Sequence, residues 1–277
     1  MEKILNGTNA AAQIKERIRI IGQKYHTAPT LAVVLVGDNP ASQIYVRGKE
    51  KDCGECGFNS KVLRLPADTT EGELLATIQG LADDPDVDGI LVQLPLPKHI
   101  DQKKIIDAIP SAKDVDCFTE QNVGRLIIGS PLFAPCTPAG IIKLLEMYQV
   151  PMAGHRMVVV GRSNIVGKPM ALLGLTRDMT VTICHSKTKD LLSFTRQADI
   201  LVSAVGKPGF IREGMVKPGT VVVDVGMNRD ENGKLCGDCE PSVYEKAAAY
   251  TPVPGGVGPM TRAMLMVNTA RAAGLPV

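Results

Sequence analysis

The sequence predicts an α/β protein of two domains, each built on a parallel sheet covered by helices. Three observations carry this. The 277 residues exceed the size at which one hydrophobic core grows comfortably. Unbroken Val/Ile/Leu runs alternate with helical segments, the pattern of strands buried on both faces. The alternation is interrupted near 145–155, where "QVPMAGHR" separates two strongly patterned stretches.

Along the chain, Ala11, Ile14, Ile18 and Ile21 recur at helical spacing, and "LAVVLV" at 31 then forms a buried strand ended by "GDNP". "KVLRL" at 61 and "GILVQ" at 89 are further strands. Helices over "EGELLATIQGLA" and "KKIIDAI" complete the first group, and the apolar helix "GIIKLLEMY" (140–148) follows. The second group has strands "MVVV" at 157, "TVTIC" at 180, "DILVSAV" at 199 and "TVVVDV" at 220, then a last helix over 260–273.

A net charge of +2 offers no long-range attraction for nucleic acid or a membrane surface. With 4% aromatic residues and no Trp, stacking platforms for single strands are not expected. The N-terminus lacks the apolar core of a signal peptide, and no run reaches the roughly 20 apolar residues of a membrane span. Seven cysteines, an odd number, fit a reducing compartment, so a cytoplasmic location is expected. Cys53 with Cys56, and Cys236 with Cys239, form C-x-x-C pairs too far apart in sequence for a shared zinc site, and neither pair follows a strand to open a helix. The four histidines show no ligand spacing, so no metal is expected.

The chemistry concentrates in a few stretches. In "VVVGRSNIVGKPM" (158–170) a buried strand turns into a helix, presenting free N–H groups and a positive dipole end that suit a phosphate. Gly161 ends the strand and Gly167 permits close approach, but the spacing is not G-x-G-x-x-G, since Ser163 and Val166 stand where glycines would. After the next strand an NAD site usually places an acid, whereas here Cys184, His185, Ser186 and Lys187 follow. With Arg162 on the turn, these donors favour the 2′-phosphate of NADP. Tyr45 and Lys49, four apart, share a helix face, and Gln93 in "VQLPLP" lies at a strand's C-terminal end, where α/β sites gather. Asp114 and Asp116 share a side if "KDVD" is extended. "TPVPGGVGPMT" (251–261) is a rigid loop against which a ligand can lie.

Together these stretches closely resemble the bifunctional methylenetetrahydrofolate dehydrogenase/methenyltetrahydrofolate cyclohydrolases. The marks are Y-x-x-x-K, Q-L-P-L-P, K-D-V-D, P-C-T-P, G-R-S-x-I-V-G-x-P, C-H-S-x-T and T-P-V-P-G-G-V-G-P-M-T, present in order from Tyr45 to Thr261. The resemblance implies oxidation of 5,10-methylenetetrahydrofolate by NADP to the methenyl form, then hydrolysis to 10-formyltetrahydrofolate. It implies Lys49 as general acid/base, Gln93 tuning it, Tyr45 packing on the folate rings and Asp116 as the pterin carboxylate. Val92, Leu94, Pro254, Gly255, Gly256 and Gly258 would also meet the folate, and Gly161, Arg162, Ser163, Ser186 and Met227 the NADP. It further implies a folate-binding domain (1–145 with 257–277), a Rossmann-like NADP-binding domain (146–256), a substrate cleft between them, and a homodimer. The chain departs from the family pattern at Cys117, where glycine is usual, at Gly48 before the lysine, and at "GDCEPS" (237–242). Two other readings stand beside this one: a two-domain dehydrogenase for a shikimate-type hydroxy acid, and a non-enzymatic NADP-binding sensor or scaffold.

Overall fold

The computed structural model describes residues 2–277. In chain order the elements are α1 (Gly7–Tyr25), β1 (Thr30–Val36), α2 (Pro40–Cys56), β2 (Asn59–Leu65), α3 (Glu71–Asp83), β3 (Gly89–Val92), α4 (Gln102–Asp107), α5 (Glu120–Ile127) and α6 (Cys136–Met147). There follow β4 (Arg156–Val160), α7 (Gly167–Leu175), β5 (Thr180–Cys184), α8 (Leu191–Thr195), β6 (Ile200–Ser203), β7 (Val221–Asp224), β8 (Asn228–Arg229), β9 (Leu235–Cys236), α9 (Pro241–Lys246), β10 (Ala249–Tyr250) and α10 (Val257–Ala272). They fall into two compact units: Ala12–Ala134 with Arg262–Val277, and the chain up to Ala11 with Pro135–Thr261.

In the first unit β2, β1 and β3 form a parallel sheet in that order, with Val33 opposite both Val62 and Leu91. Strand β1 is buried from Leu31 to Val36, as its unbroken apolar run predicts. On one face Ala32, Val34 and Val36 pack with Leu74, Ile78 and Leu81 of α3 and Ile105 of α4. Burying each such side chain contributes about 1.5–3 kcal/mol. Helix α3 starts at a reciprocal capping box, Thr70 with Glu73. Its C-terminal carbonyls are met by Lys113, whose Nζ donates to Leu81 O, Ala82 O and Asp84 O.

The second unit holds a parallel five-stranded sheet, β10-β7-β6-β4-β5. The chain goes from β4 through α7 to β5 on one side, then crosses to β6 on the other, so the order reverses between β4 and β6. Such a switch point is where α/β sheets bind ligands. The segment before α1 joins this unit: Ile4 bridges Tyr250, and Leu5 N donates to Tyr250 O at 2.8 Å. Helix α6 also belongs here, packed against α7. The units therefore divide ahead of α6, earlier than the expected 145–146 boundary. An apolar helix carries no local mark of which sheet it covers.

Among the described residues no helix is long and apolar enough to cross a membrane. All seven cysteines are free thiols. Burial pushes Cys53 and Cys56 up to about 12, which leaves them protonated and poor nucleophiles.

Candidate active site

Helix α2 carries Tyr45 and Lys49 one turn apart, Tyr45 exposed and Lys49 half-buried. Strand β3 ends at Val92, and Gln93 N continues the ladder to Val34 O at 2.8 Å, which fixes the backbone that bears Gln93. The two elements meet where Lys49 Nζ donates to Gln93 Oε1 at 2.9 Å. Gln93 Nε2 donates to Leu94 O at 2.7 Å, so its amide is oriented with the oxygen toward the lysine. Burial pushes the Tyr45 phenol above its ordinary range, and the Arg262 charge opposes that shift.

The "KDVD" stretch is not extended. It forms turns, tied to β3 by a bridge between Ile90 and Asp114. Asp114 is 1% exposed and accepts from Phe118 N, the Thr119 amide and hydroxyl, and Asn122 Nδ2. It builds the start of α5, and only the half-buried Asp116 is left as a candidate ligand group. Next to it Cys117 has φ 61°, the left-handed region that glycine adopts freely. Its thiol, pushed by burial up to about 12, donates to Phe133 O at 3.3 Å. Cys117→Val is expected to destabilise the protein by about 1–3 kcal/mol, because a β-branched residue resists positive φ. Cys117→Gly is expected to leave the urea midpoint nearly unchanged, since relieved strain offsets lost packing. Equal midpoints for the valine variant and the wild type would refute this.

In the second unit the switch point is made by glycine. Gly161 has φ 135°, and a Cβ there would collide with the Ala204 carbonyl at the end of β6. A Cβ on Gly167 would collide with the Gly161 carbonyl. Ser163 Oγ accepts from Val166 N at 3.1 Å and Gly167 N at 3.3 Å, so this hydroxyl caps the turn into α7. Arg162, Ser163, Ser186 and Lys187 are exposed around the ends of β4 and β5. No acid follows β5 directly. The first one, Asp190, caps α8 by accepting from Ser193 N.

Two buried carboxylates that sequence reasoning missed shape the neighbouring loops. Asp238 is fully buried and accepts from Ser203 Oγ, Val205 N, Gly206 N, Lys207 N and Asn228 Nδ2. Asp224 accepts from Gly226 N, Asp238 N, Cys239 N and the Tyr244 hydroxyl. They hold the loop after β6 and both sides of Met227, which is half exposed. The only sequence signal was an acid after a glycine in "GDCEPS", and its partners are far away along the chain. Met227 Sδ stands 4.0 Å from where a Cβ on Gly258 would be. The loop preceding Gly258 is pinned by Thr8, whose amide donates to Gly255 O at 3.0 Å, and a Cβ on Gly256 would lie 2.6 Å from Pro252 O. Pro254 is exposed on it. Among the described residues, no group of three or more His, Cys, Asp or Glu is placed to hold a metal ion.

Two family models match the chain. The catalytic domain of tetrahydrofolate dehydrogenase/cyclohydrolase covers residues 5–116, and the NAD(P)-binding domain of the same family covers residues 135–275. The chain belongs to the tetrahydrofolate dehydrogenase/cyclohydrolase family. It is 55% identical over 276 residues to a bifunctional protein FolD of Cupriavidus necator, covering 98% of this chain and 97% of that one. A solved bifunctional FolD, methylenetetrahydrofolate dehydrogenase/cyclohydrolase, from Campylobacter jejuni superposes with a TM-score of 0.96 at 49% identity, covering 99% of each chain. The Trypanosoma brucei N5,N10-methylenetetrahydrofolate dehydrogenase-cyclohydrolase, solved with NADP cofactor and inhibitor, gives 0.92 at 37% identity, covering 99% of this chain and 98% of that one. Within the family's division, Tyr45, Lys49, Gln93 and Asp116 lie in the stretch matched by the catalytic-domain model. The turn at Gly161, Met227 and the 254–258 loop lie in the stretch matched by the NAD(P)-binding model.

Proposed function

We propose that this chain oxidises 5,10-methylenetetrahydrofolate with NADP and hydrolyses the methenyl product to 10-formyltetrahydrofolate, as an enzyme of one-carbon metabolism that supports purine biosynthesis. The observation that carries the hydrolytic half is the Lys49–Gln93 contact on a chain of this family. Hydrolysis requires water to add to the amidinium carbon and lose a proton, after which the bond from that carbon to N5 breaks as N5 takes a proton and the remaining hydroxyl proton leaves to solvent, giving the formyl group on N10. Lys49 Nζ is the group that takes and returns the proton. Gln93 Oε1 holds that nitrogen in place in either protonation state. Tyr45 packs on the folate rings, Asp116 accepts the pterin's N–H groups, and Val92, Leu94 and the loop of Pro254, Gly255, Gly256 and Gly258 complete the contacts.

The residues around the switch point fit an NADP. Gly161 and Gly167 leave backbone where side chains would stand, and Arg162, Ser163 and Ser186 offer donors where an acid would repel a 2′-phosphate. When bound, the cofactor supplies the acceptor for the hydride. The protein's part in that step is geometry, because the folate's own nitrogens stabilise the cation formed. Met227 lies at the nicotinamide end. A shikimate-type dehydrogenase is disfavoured by the two tetrahydrofolate dehydrogenase/cyclohydrolase models that match most of the chain, and a scaffold would not need a lysine so held.

A homodimer formed through the nucleotide-binding unit fits the open edge of β5, where Ile183 is 38% exposed beside Leu192 and Phe194 of α8. Sedimentation as a monomer at micromolar concentration would count against it. Free thiols throughout suit a reducing, cytoplasmic setting.

The test of the activity is spectrophotometric: NADPH should appear when the protein meets 5,10-methylenetetrahydrofolate, and more slowly with NAD. Arg162→Ser should raise the KM for NADP about tenfold, the loss of one charge-assisted contact, with little change for NAD. No reduction of either cofactor would overturn the assignment, and equal effects on both would remove Arg162 from 2′-phosphate selection.

A further inference from the structure

The space left by the missing side chain of Gly48, just before Lys49, is filled. A Cβ there would lie 2.5 Å from Nη1 of Arg262, so a side chain at 48 would push the tip of this guanidinium away from its place against α2. Arg262 comes from α10, and its Nε lies 3.3 Å from Oδ2 of Asp52. Asp52 is 2% exposed, and its other oxygen accepts from Lys15 Nζ at 2.8 Å. Lys15 hydrogen-bonds one oxygen of this buried carboxylate, while Arg262 faces the other as an ion pair without a hydrogen bond. Lys15 also pairs with Glu55, and Glu55 with Lys51, so the cluster retains one net positive charge. Residues 45, 48, 49 and 52 fall on one stripe of α2 about 100° wide. The guanidinium therefore runs from Asp52 past Gly48 toward Tyr45, whose phenol feels its charge. The Arg262 side chain is 35% exposed.

We infer that Arg262 forms a subsite for the carboxylates of the folate's glutamate tail. The inference rests on the proposed function, in which the reacting carbon lies at Lys49 and the rings at Tyr45. A folate carries its glutamate beyond the aminobenzoyl ring, so the carboxylates leave the rings near Tyr45. A planar guanidinium presents paired donors matched to a carboxylate, and the ion pair with Asp52 keeps its charge beside α2 while leaving those donors uncommitted to that oxygen.

The experiment compares cyclohydrolase KM values for two methenyl substrates, the tetrahydropteroate derivative without glutamate and the monoglutamate. The wild type should prefer the glutamate-bearing compound by about tenfold, the size of one charge-assisted pair. In Arg262→Gln that preference should collapse toward unity. Lys15→Gln also disturbs Asp52, by removing its hydrogen-bonded cation, but keeps the guanidinium, so the preference should survive and separate recognition from mere support. The wild-type preference should also shrink at high ionic strength, a readout that does not depend on any variant folding. A preference unchanged in Arg262→Gln, insensitive to salt, or lost equally in Lys15→Gln overturns the subsite. A wild type that hydrolyses neither compound overturns the functional reading, and the subsite with it.

Discussion

Lys49→Ala is expected to lower the rate of methenyltetrahydrofolate hydrolysis by about 10²–10⁴-fold, the range typical of removing a positioned general acid/base. The physical case is specific. Lys49 Nζ is held 2.9 Å from Gln93 Oε1, and the Gln93 amide is itself turned by its bond to Leu94 O. Alanine removes the only proposed proton carrier and leaves Gln93 in place. Oxidation of the methylene compound should fall far less, since the folate nitrogens stabilise the developing cation without help from a lysine. NADP affinity should not change, because no cofactor-binding residue has been altered. Gln93→Ala should show a milder version of the same split, with Lys49 present but less well aimed. Stopped assays of the two reactions on the same preparation give the comparison. Hydrolysis at the wild-type rate in Lys49→Ala would remove Lys49 from the mechanism.

Gly161→Ala is expected to abolish NADP binding and dehydrogenase activity. At φ 135° an alanine is strained by about 1–3 kcal/mol. Its Cβ would also strike the Ala204 carbonyl, forcing β4 and β6 apart where the sheet order reverses, and overpacking of that kind costs a further 1–3 kcal/mol or so. Against a total stability of about 5–15 kcal/mol, the unit should still fold, with a lowered melting temperature and a displaced turn. Cyclohydrolysis needs no cofactor and should persist in soluble protein, which makes it an internal control. Unchanged NADP affinity by fluorescence titration would show that the close approach of Gly161 and Ala204 is not what forms the site.

How much of this was legible beforehand varies by element. Strands β1, β3, β4, β6 and β7 were readable as unbroken apolar runs, because a strand buried on both faces has no polar position to interrupt it. The short β10, the β8–β9 hairpin and α5 escaped, being too short or too polar to show a period. Tyr45 and Lys49 were readable as a pair because helix geometry is local. Asp114 and Asp116 were separated only by the family resemblance, which pointed to Asp116; their spacing alone did not distinguish them, because it could not show that the backbone turns and buries Asp114 as the organiser of α5. Ser163 was expected to meet the cofactor, and its hydroxyl is also committed to capping α7.

By itself the sequence determined what depends on near neighbours: the parallel α/β architecture, the glycine turn at 161, the absence of an acid after β5, and the shared face of Tyr45 and Lys49. Periodicity and backbone sterics act over a few residues, so they leave a local trace. Only the tertiary structure decided what depends on partners distant in the chain. Asp238 gathers donors from 203 to 228, Lys49 finds Gln93 forty-four residues on, and the room beside Gly48 is taken by Arg262 from far along the chain. A buried carboxylate or a missing Cβ has no meaning until the group that fills its surroundings arrives, and that group is chosen by the fold.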